Sequence, residues 1–158
     1  YALTLGATYK GFGLEVMFQG VDHVSRYYDA DAMYAFYNNG KVKDIHLERW
    51  NPSLSEADNL AQAKYPLLHY GSTGDHNQRQ NSFFLKNGAF VRLKNVELSY
   101  TLPAAWTQKA GMSSARIYVN GNNLITWDHL DGLVDPESNG SSRYPLLKTF
   151  NVGFNVVF

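Results

Sequence analysis

Apolar residues recur at every second position in several stretches of the chain. In 1–9, YALTLGATY, Tyr1, Leu3, Leu5, Ala7 and Tyr9 fall on one face, and Ala2, Thr4, Gly6 and Thr8 on the other. In 12–20, FGLEVMFQG, Phe12, Leu14, Val16 and Phe18 oppose Gly13, Glu15, Met17 and Gln19. Successive side chains of a strand point to opposite sides of a sheet, so both runs predict strands with one apolar face. KGFG between them predicts a tight hairpin turn. The rhythm returns in 83–102, FFLKNGAFVRLKNVELSYTL. There Val96, Leu98, Tyr100 and Leu102 share one parity and Val91 and Leu93 the other, so the slip near Lys94-Asn95 predicts a bulge. ARIYVNGNNLITW, 115–127, reads as a further strand. The last strand runs from about Leu146 to Phe158, with Phe150, Val152, Phe154, Val156 and Phe158 on one face.

Between these runs the period is lost. Residues 21–82 carry clusters of Tyr, Asp, Asn, His and Gly. The stretch 29–50 is compatible with a short helix or strand, and SEADNLAQA has helical composition with Ser53 or Ser55 as N-cap. A connection this long is uncommon in a compact domain, and its many aromatics argue against simple disorder. LPAAWTQKAGMSS predicts a turn of helix, opened by Pro103 and stopped by Gly111. DHLDGLVDPESNGSSRYP is a loop with clear turn chemistry.

Composition narrows the class. Lys and Arg total 14, as do Asp and Glu, so no basic footprint for nucleic acid appears. With no cysteine there is neither a disulfide framework nor a thiolate metal site. No run of 18 apolar residues occurs, which excludes a spanning helix but not a barrel strand. Eleven Tyr and nine Phe are a high aromatic load. Connections alternate short, very long, short and long, the asymmetry of outer-membrane barrels with short inner turns and long outer loops. Five strands cannot close a barrel. The expectation is therefore a C-terminal piece of a longer chain, consistent with Tyr1 opening directly into strand.

FVRLKNVELSYTLP, ARIYVNGNNLITW, LDGLVDPES and RYPLLKTFNVGFNVVF, in that order, resemble the C-terminal end of SusC/RagA-type TonB-dependent outer-membrane transporters. YKGFGLEVMFQG is similar to the family's preceding hairpin. ERWNP and AKYPLL resemble segments further upstream, with Asn51 where Thr is common and Leu67 where Arg is common. The resemblance implies an all-β fold, with five antiparallel strands forming the C-terminal segment of a roughly 22-stranded transmembrane β-barrel with long extracellular loops. Strands are expected at about 1–9, 12–20, 83–102, 115–127 and 146–158. Loops 21–82 and 128–144 would be extracellular, and turns 10–11 and 103–114 periplasmic; the plug domain is absent from this chain. The implied activity is import of oligosaccharides or peptides at the outer membrane of a Gram-negative bacterium. The implied partners are the rest of the barrel and its plug, a SusD-like surface lipoprotein, TonB through the plug, outer-membrane lipid and the barrel-assembly machinery. A soluble carbohydrate-binding β-sandwich with aromatic loops, and an adhesin or receptor barrel, stay open beside it.

On this reading Glu15, Gln19, Asn95, Glu97, Arg116, Asn120, Asn122, Asn151 and Asn155 would face the lumen. Phe158 resembles the terminal aromatic read by the assembly machinery. Tyr27, Tyr28, Tyr34, Phe36, Tyr37 and Trp50 lie in the long loop, where they could stack on substrate, pack against the lipoprotein lid, or form the loop's own small core. Asp128, Asp131 and Asp135 are hard oxygen ligands that could hold a loop calcium, but their spacing is not that of an EF-hand. Turn and capping chemistry is the favoured role for them, and no cofactor is expected. His23, His46, His69, His76 and His129 read as exposed loop residues without a zinc-hydrolase spacing. No nucleophile elbow or phosphate loop occurs, so the chain is not expected to be an enzyme.

Overall fold

The computed structural model of the chain describes residues 1–28, 30–70, 76–130, 132–138 and 144–158. Its strands are β1 (Ala2–Tyr9), β2 (Phe12–Val21), β3 (Ser25–Tyr27), β4 (Leu85–Asn87), β5 (Phe90–Thr101), β6 (Ser114–Asp128) and β7 (Thr149–Val157). β1, β2, β5, β6 and β7 lie side by side in one antiparallel sheet, and β3 pairs with β4. Lys10 and Gly11 make the first turn with φ of 47° and 87°, the doubly positive geometry whose twist suits a tight hairpin. Glycine is required at the second position, because a Cβ there would stand 2.9 Å from the Thr101 carbonyl oxygen. Between β5 and β6, Pro103 caps the short helix α1 (Ala104–Thr107), and Gly111 at φ 72° ends the turn.

Register turns the alternation into rows across the sheet. Tyr9, Phe12, Tyr100, Ile117 and Phe154 form one row. Ala7, Leu14, Leu98, Val119 and Val152 form the next, and Leu5, Val16, Val96, Gly121 and Phe150 the third. Phe12 and Tyr100 tilt together at 4.6 Å, a pairing that adds to the backbone ladder. The predicted slip is a bulge at Lys94: Met17 faces Asn95 while Phe18 faces Leu93. The extra residue returns Leu93 and Val91 to the apolar face, which explains their opposite parity.

Nothing among the described residues covers this apolar face. Phe150 is 77% exposed, Val152 and Phe154 are each 79% exposed, and Leu3, Leu5, Tyr9 and Phe12 are exposed as well. A β-sandwich would bury Phe150 and Phe154 under a second sheet; here no second sheet lies over them.

The run 83–102 is not one strand. Ser82–Phe84 form a 3-10 turn, and β4 then pairs with β3. The chain breaks at Gly88-Ala89, where Asn87 Oδ1 accepts the Ala89 N–H at 2.9 Å, and β5 begins at Phe90. Gly88 packs against the Arg26 side chain, where a Cβ would come within 2.8 Å of Cγ. The loop 21–82 is also more ordered than its sequence implies. It contains β3, the helical turn Ala30–Met33 and the helix Glu56–Gln62, whose N-cap is Ser55, with Oγ accepting the Asp58 N–H at 3.1 Å.

The packed core sits in the loops, not under the sheet. Tyr28, Ala32, Met33 and Phe84 from the first connection close around Leu130 from the second. Asn59 ties the loop between them, accepting the Asn51 N–H at 2.7 Å and donating to the Asn51 carbonyl at 2.8 Å. His46 is 1% exposed, which corrects its reading as a surface histidine. Its Nδ1 accepts the Lys43 N–H at 2.8 Å, and its Nε2 lies 3.0 Å from the Met33 carbonyl. Burial pushes the Tyr65 phenol up to about 12, so it stays protonated and donates to that same carbonyl.

Gly153 of β7 lies directly opposite Tyr118 of β6, whose ring covers it so closely that a Cβ would collide. An aromatic lying over a cross-strand glycine pins register. In the full-length protein, Gly153→Val is expected to lower stability by about 1–3 kcal/mol through overpacking. A double-mutant cycle with Tyr118→Ala, followed by denaturant unfolding, should recover most of that loss; additive losses would show that the ring does not act on Gly153.

Candidate functional site

The face opposite the apolar rows is a polar ladder. Gly6, Glu15, Glu97, Asn120 and Asn151 form one row, and Thr4, Met17, Asn95, Asn122 and Thr149 another. Gln19 lies opposite Arg92, and Asn155 opposite Arg116, on the same face. All nine residues expected to share a polar face therefore do so. Side-chain bonds run sideways along it. Asn95 Nδ2 donates to Asn122 Oδ1 at 2.9 Å, and Asn122 Nδ2 to Thr149 Oγ1 at 3.2 Å. Asn151 Nδ2 donates to Asn120 Oδ1 at 2.8 Å. Arg116 pairs with Glu97 and donates to Ser99 Oγ at 3.0 Å. At the end nearer the Lys10-Gly11 turn, a recess of about 470 Å³ opens over this face, walled by Gly6, Thr8, Gly13, Glu15, Glu97 and Arg116.

The loop aromatics divide. Tyr28 belongs to the loop core, and Tyr27 and Tyr34 pack against it. Tyr34 meets the Phe84 ring edge-on at 5.2 Å and the Tyr37 ring at 6.0 Å. Phe36, held at φ 58°, turns its ring to Tyr70 at 5.6 Å. Trp50 is half-buried and its backbone N–H donates to the Tyr65 carbonyl at 2.8 Å. Self-packing thus accounts for Tyr27, Tyr28 and Tyr34.

One constellation escaped sequence reasoning. Arg92 is the largest of the fully buried side chains among the described residues, at 2% exposure. Its Nη2 donates to both oxygens of Asp135 at 2.9 Å, and its Nη1 to Glu137 at 2.6 Å. Lys94, the bulge residue, reaches Glu137 at 3.0 Å. Asp135 also accepts the N–H of Glu137 at 2.9 Å and of Leu146 at 3.2 Å. Burial pushes the Asp135 carboxyl up, but those N–H groups and Arg92 outweigh it and hold it below its ordinary value. The stability this gives is present above the ordinary carboxylate range and lost only as pH falls below it. Asp135 is thereby committed to a cation of the protein itself, and Asp128 Oδ1 accepts the Leu130 N–H at 2.8 Å. Asp131 lies outside the described residues.

These ion pairs strap the second loop to β5. Arg92→Met removes one partner of a buried cluster and is expected to cost about 3–5 kcal/mol. Limited proteolysis of the full-length protein should show new cleavage within 128–148, while Lys64→Met at the exposed Lys64–Glu48 pair should leave the digest unchanged.

No family model matches the chain. It is 33% identical over 96 residues to one TonB-dependent receptor of Formosa agariphila, covering 51% of this chain and 10% of that protein. It is 25% identical over 167 residues to a second receptor of the same organism, covering 96% of this chain and 16% of that protein. The fold matches that of the RagAB peptide importer in its open-open state, with a TM-score of 0.71 and 25% identity over 99% of this chain and 17% of that one. A structure of the RagAB peptide transporter gives 0.70 and 25% identity over 97% and 16%. The chain thus spans between 10% and 17% of the length of these relatives. Over nearly its whole length, this chain resembles part of a SusC/RagA-type TonB-dependent outer-membrane transporter, as its motifs indicated.

Proposed function

We propose that the chain is the C-terminal barrel segment of a TonB-dependent importer in the outer membrane of a Gram-negative bacterium. The observation that carries this reading is the pairing of two unlike faces on one sheet. Apolar rows stand exposed on one side, and a hydrogen-bonded polar ladder lines the other. An exposed apolar surface of this extent is uncommon on a soluble monomer, whereas a barrel strand puts such a face toward lipid and its polar face toward the lumen.

The short turns 10–11 and 103–114 then lie in the periplasm, and the loops 21–82 and 128–144 lie outside. Glu15, Gln19, Asn95, Glu97, Arg116, Asn120, Asn122, Asn151 and Asn155 face the lumen and the plug. The substrates are oligosaccharides or peptides, taken up with a SusD-like lipoprotein; the peptide side draws support from the likeness to the RagAB importer. Phe36, Tyr37 and Trp50, which the loop core does not absorb, are the aromatics best placed for substrate or lid contact.

Two tests bear on this. Expressed alone without detergent, the 158-residue chain is expected to aggregate and to give ordered β circular dichroism only in detergent. A soluble, cooperatively folded monomer would overturn the barrel. In the full-length protein, Val119→Lys should cost about 2–4 kcal/mol of membrane stability, whereas Asn120→Lys, one residue on and facing inward, should insert at wild-type level. Equal tolerance of both would remove the assignment of faces.

A further inference from the structure

The corner Asp135-Pro136-Glu137 is held on the polar face of the sheet, below the outer end of β5. Arg92 stands opposite Gln19 and so belongs to that face. β5 runs inward from Phe90, and Arg92 and Lys94 are its third and fifth residues. At about 3.4 Å per residue, the Lys94–Glu137 pair lies about 13 Å down the strand. The second loop therefore leaves the end of β6, turns back and descends along the wall. Burial marks the ground it covers. Phe90, which register places on the polar side, and Arg92 are both buried, whereas Thr149 and Asn151 farther along the same face are exposed.

The corner is fastened on every side. Arg92 and Lys94 take its two carboxylates. From the first loop, Arg26 Nη1 donates to the Ser138 carbonyl at 3.1 Å. The Leu146 N–H donates to Asp135 Oδ2 at 3.2 Å, so the returning chain is tied to the same carboxylate as the outgoing one. Pro136, between the two acids, is buried and fixes its own φ. Opening such a corner would leave a buried guanidinium without its carboxylates, a costly state, so the segment does not swing as a lid. Two cations match the two carboxylates, and the cluster adds no net charge to the passage.

We infer that residues 132–138 form a fixed sill on the inside of the barrel wall, which narrows the passage at its outer mouth, and that Arg92 is the residue that positions it. The inference rests on the polar face being the interior of an import barrel. The width available to cargo there is set by this corner and not by the strands alone, and a sill of balanced charge selects by bulk.

The test is thiol labelling of the full-length transporter in detergent, one introduced cysteine at a time, with a small maleimide and with a bulky polyethylene-glycol maleimide. Lys64→Cys, on the exposed outer loop, is expected to react with both. Ser138→Cys is expected to react with the small reagent and to resist the bulky one, as a group inside the passage must. Asp135→Asn, which keeps shape and removes the charge Arg92 grips, should raise the bulky reagent's rate at Ser138→Cys about tenfold, the weight of one charge-assisted hydrogen bond. Asp135→Glu should keep that rate low. Gly153→Val, which strains the sheet away from the cluster, should also leave it low, and this separates positioning from general stability. Asn151→Cys, on the bare wall, reports on the barrel itself: if the bulky reagent labels it, the barrel reading fails. If Asn151→Cys resists while Ser138→Cys reacts with the bulky reagent as fast as Lys64→Cys, the barrel stands and the sill is overturned. Silence of Ser138→Cys toward both reagents overturns it too, because a sill lines the open passage. An unchanged rate in Asp135→Asn removes the positioning role of Arg92.

Discussion

Cross-strand hydrogen bonding aligns the side chains of five strands into rows, and that alignment decides what each surface of the sheet meets. The period of two sends most of the Leu, Val and Phe of a strand one way and its Asn, Glu and Thr the other; Val21, Phe90 and Val157, at strand ends, are exceptions. Antiparallel register then stacks like with like, so that Tyr9, Phe12, Tyr100, Ile117 and Phe154 become a single band. A one-residue slip anywhere would send this band to the polar side. The bulge at Lys94 and the Tyr118–Gly153 contact are the places where the chain guards against such a slip.

The loops obey a different rule. With no second layer over the sheet among the described residues, the packed core forms where the long connections meet. Leu130 of one connection fills the cluster of Tyr28, Met33 and Phe84 from the other. The Arg92–Asp135–Glu137 cluster then fixes this cap to β5. Burying Arg92 and Asp135 is favourable only because each is answered: Arg92 Nη2 reaches both Asp135 oxygens and its Nη1 reaches Glu137, on which the partly exposed Lys94 also closes.

What the sequence disclosed follows from the range of each interaction. Strands were legible because alternation is local, and so were the Lys10-Gly11 turn and the bulge near Lys94-Asn95; the helix cap was narrowed only to Ser53 or Ser55, of which the fold uses Ser55. The β3–β4 pair was not, because three residues are too few to show a period. Its insertion also split a run that looked continuous from residue 83. His46 looked like a surface residue because nothing nearby in sequence announces that Met33 and Tyr65 enclose it. The ion cluster joins residues more than forty positions apart, a relation that spacing does not encode. RLKN and DPE were visible as family motifs, but only the fold shows that they answer each other.

The small β3–β4 pair has a bearing on how such a chain folds. β2 and β5 must find one another across residues 22–89, and the entropy lost in closing a loop grows with its length. β3 and β4 pair just beyond the ends of those strands, so they zip the neck of the loop shut. Once Tyr28, Met33 and Phe84 have collapsed, the ends presented to β2 and β5 are already neighbours. A long excursion then behaves, for the strands beneath it, as a short hairpin, and the packed loop core favours the pairing of β2 with β5.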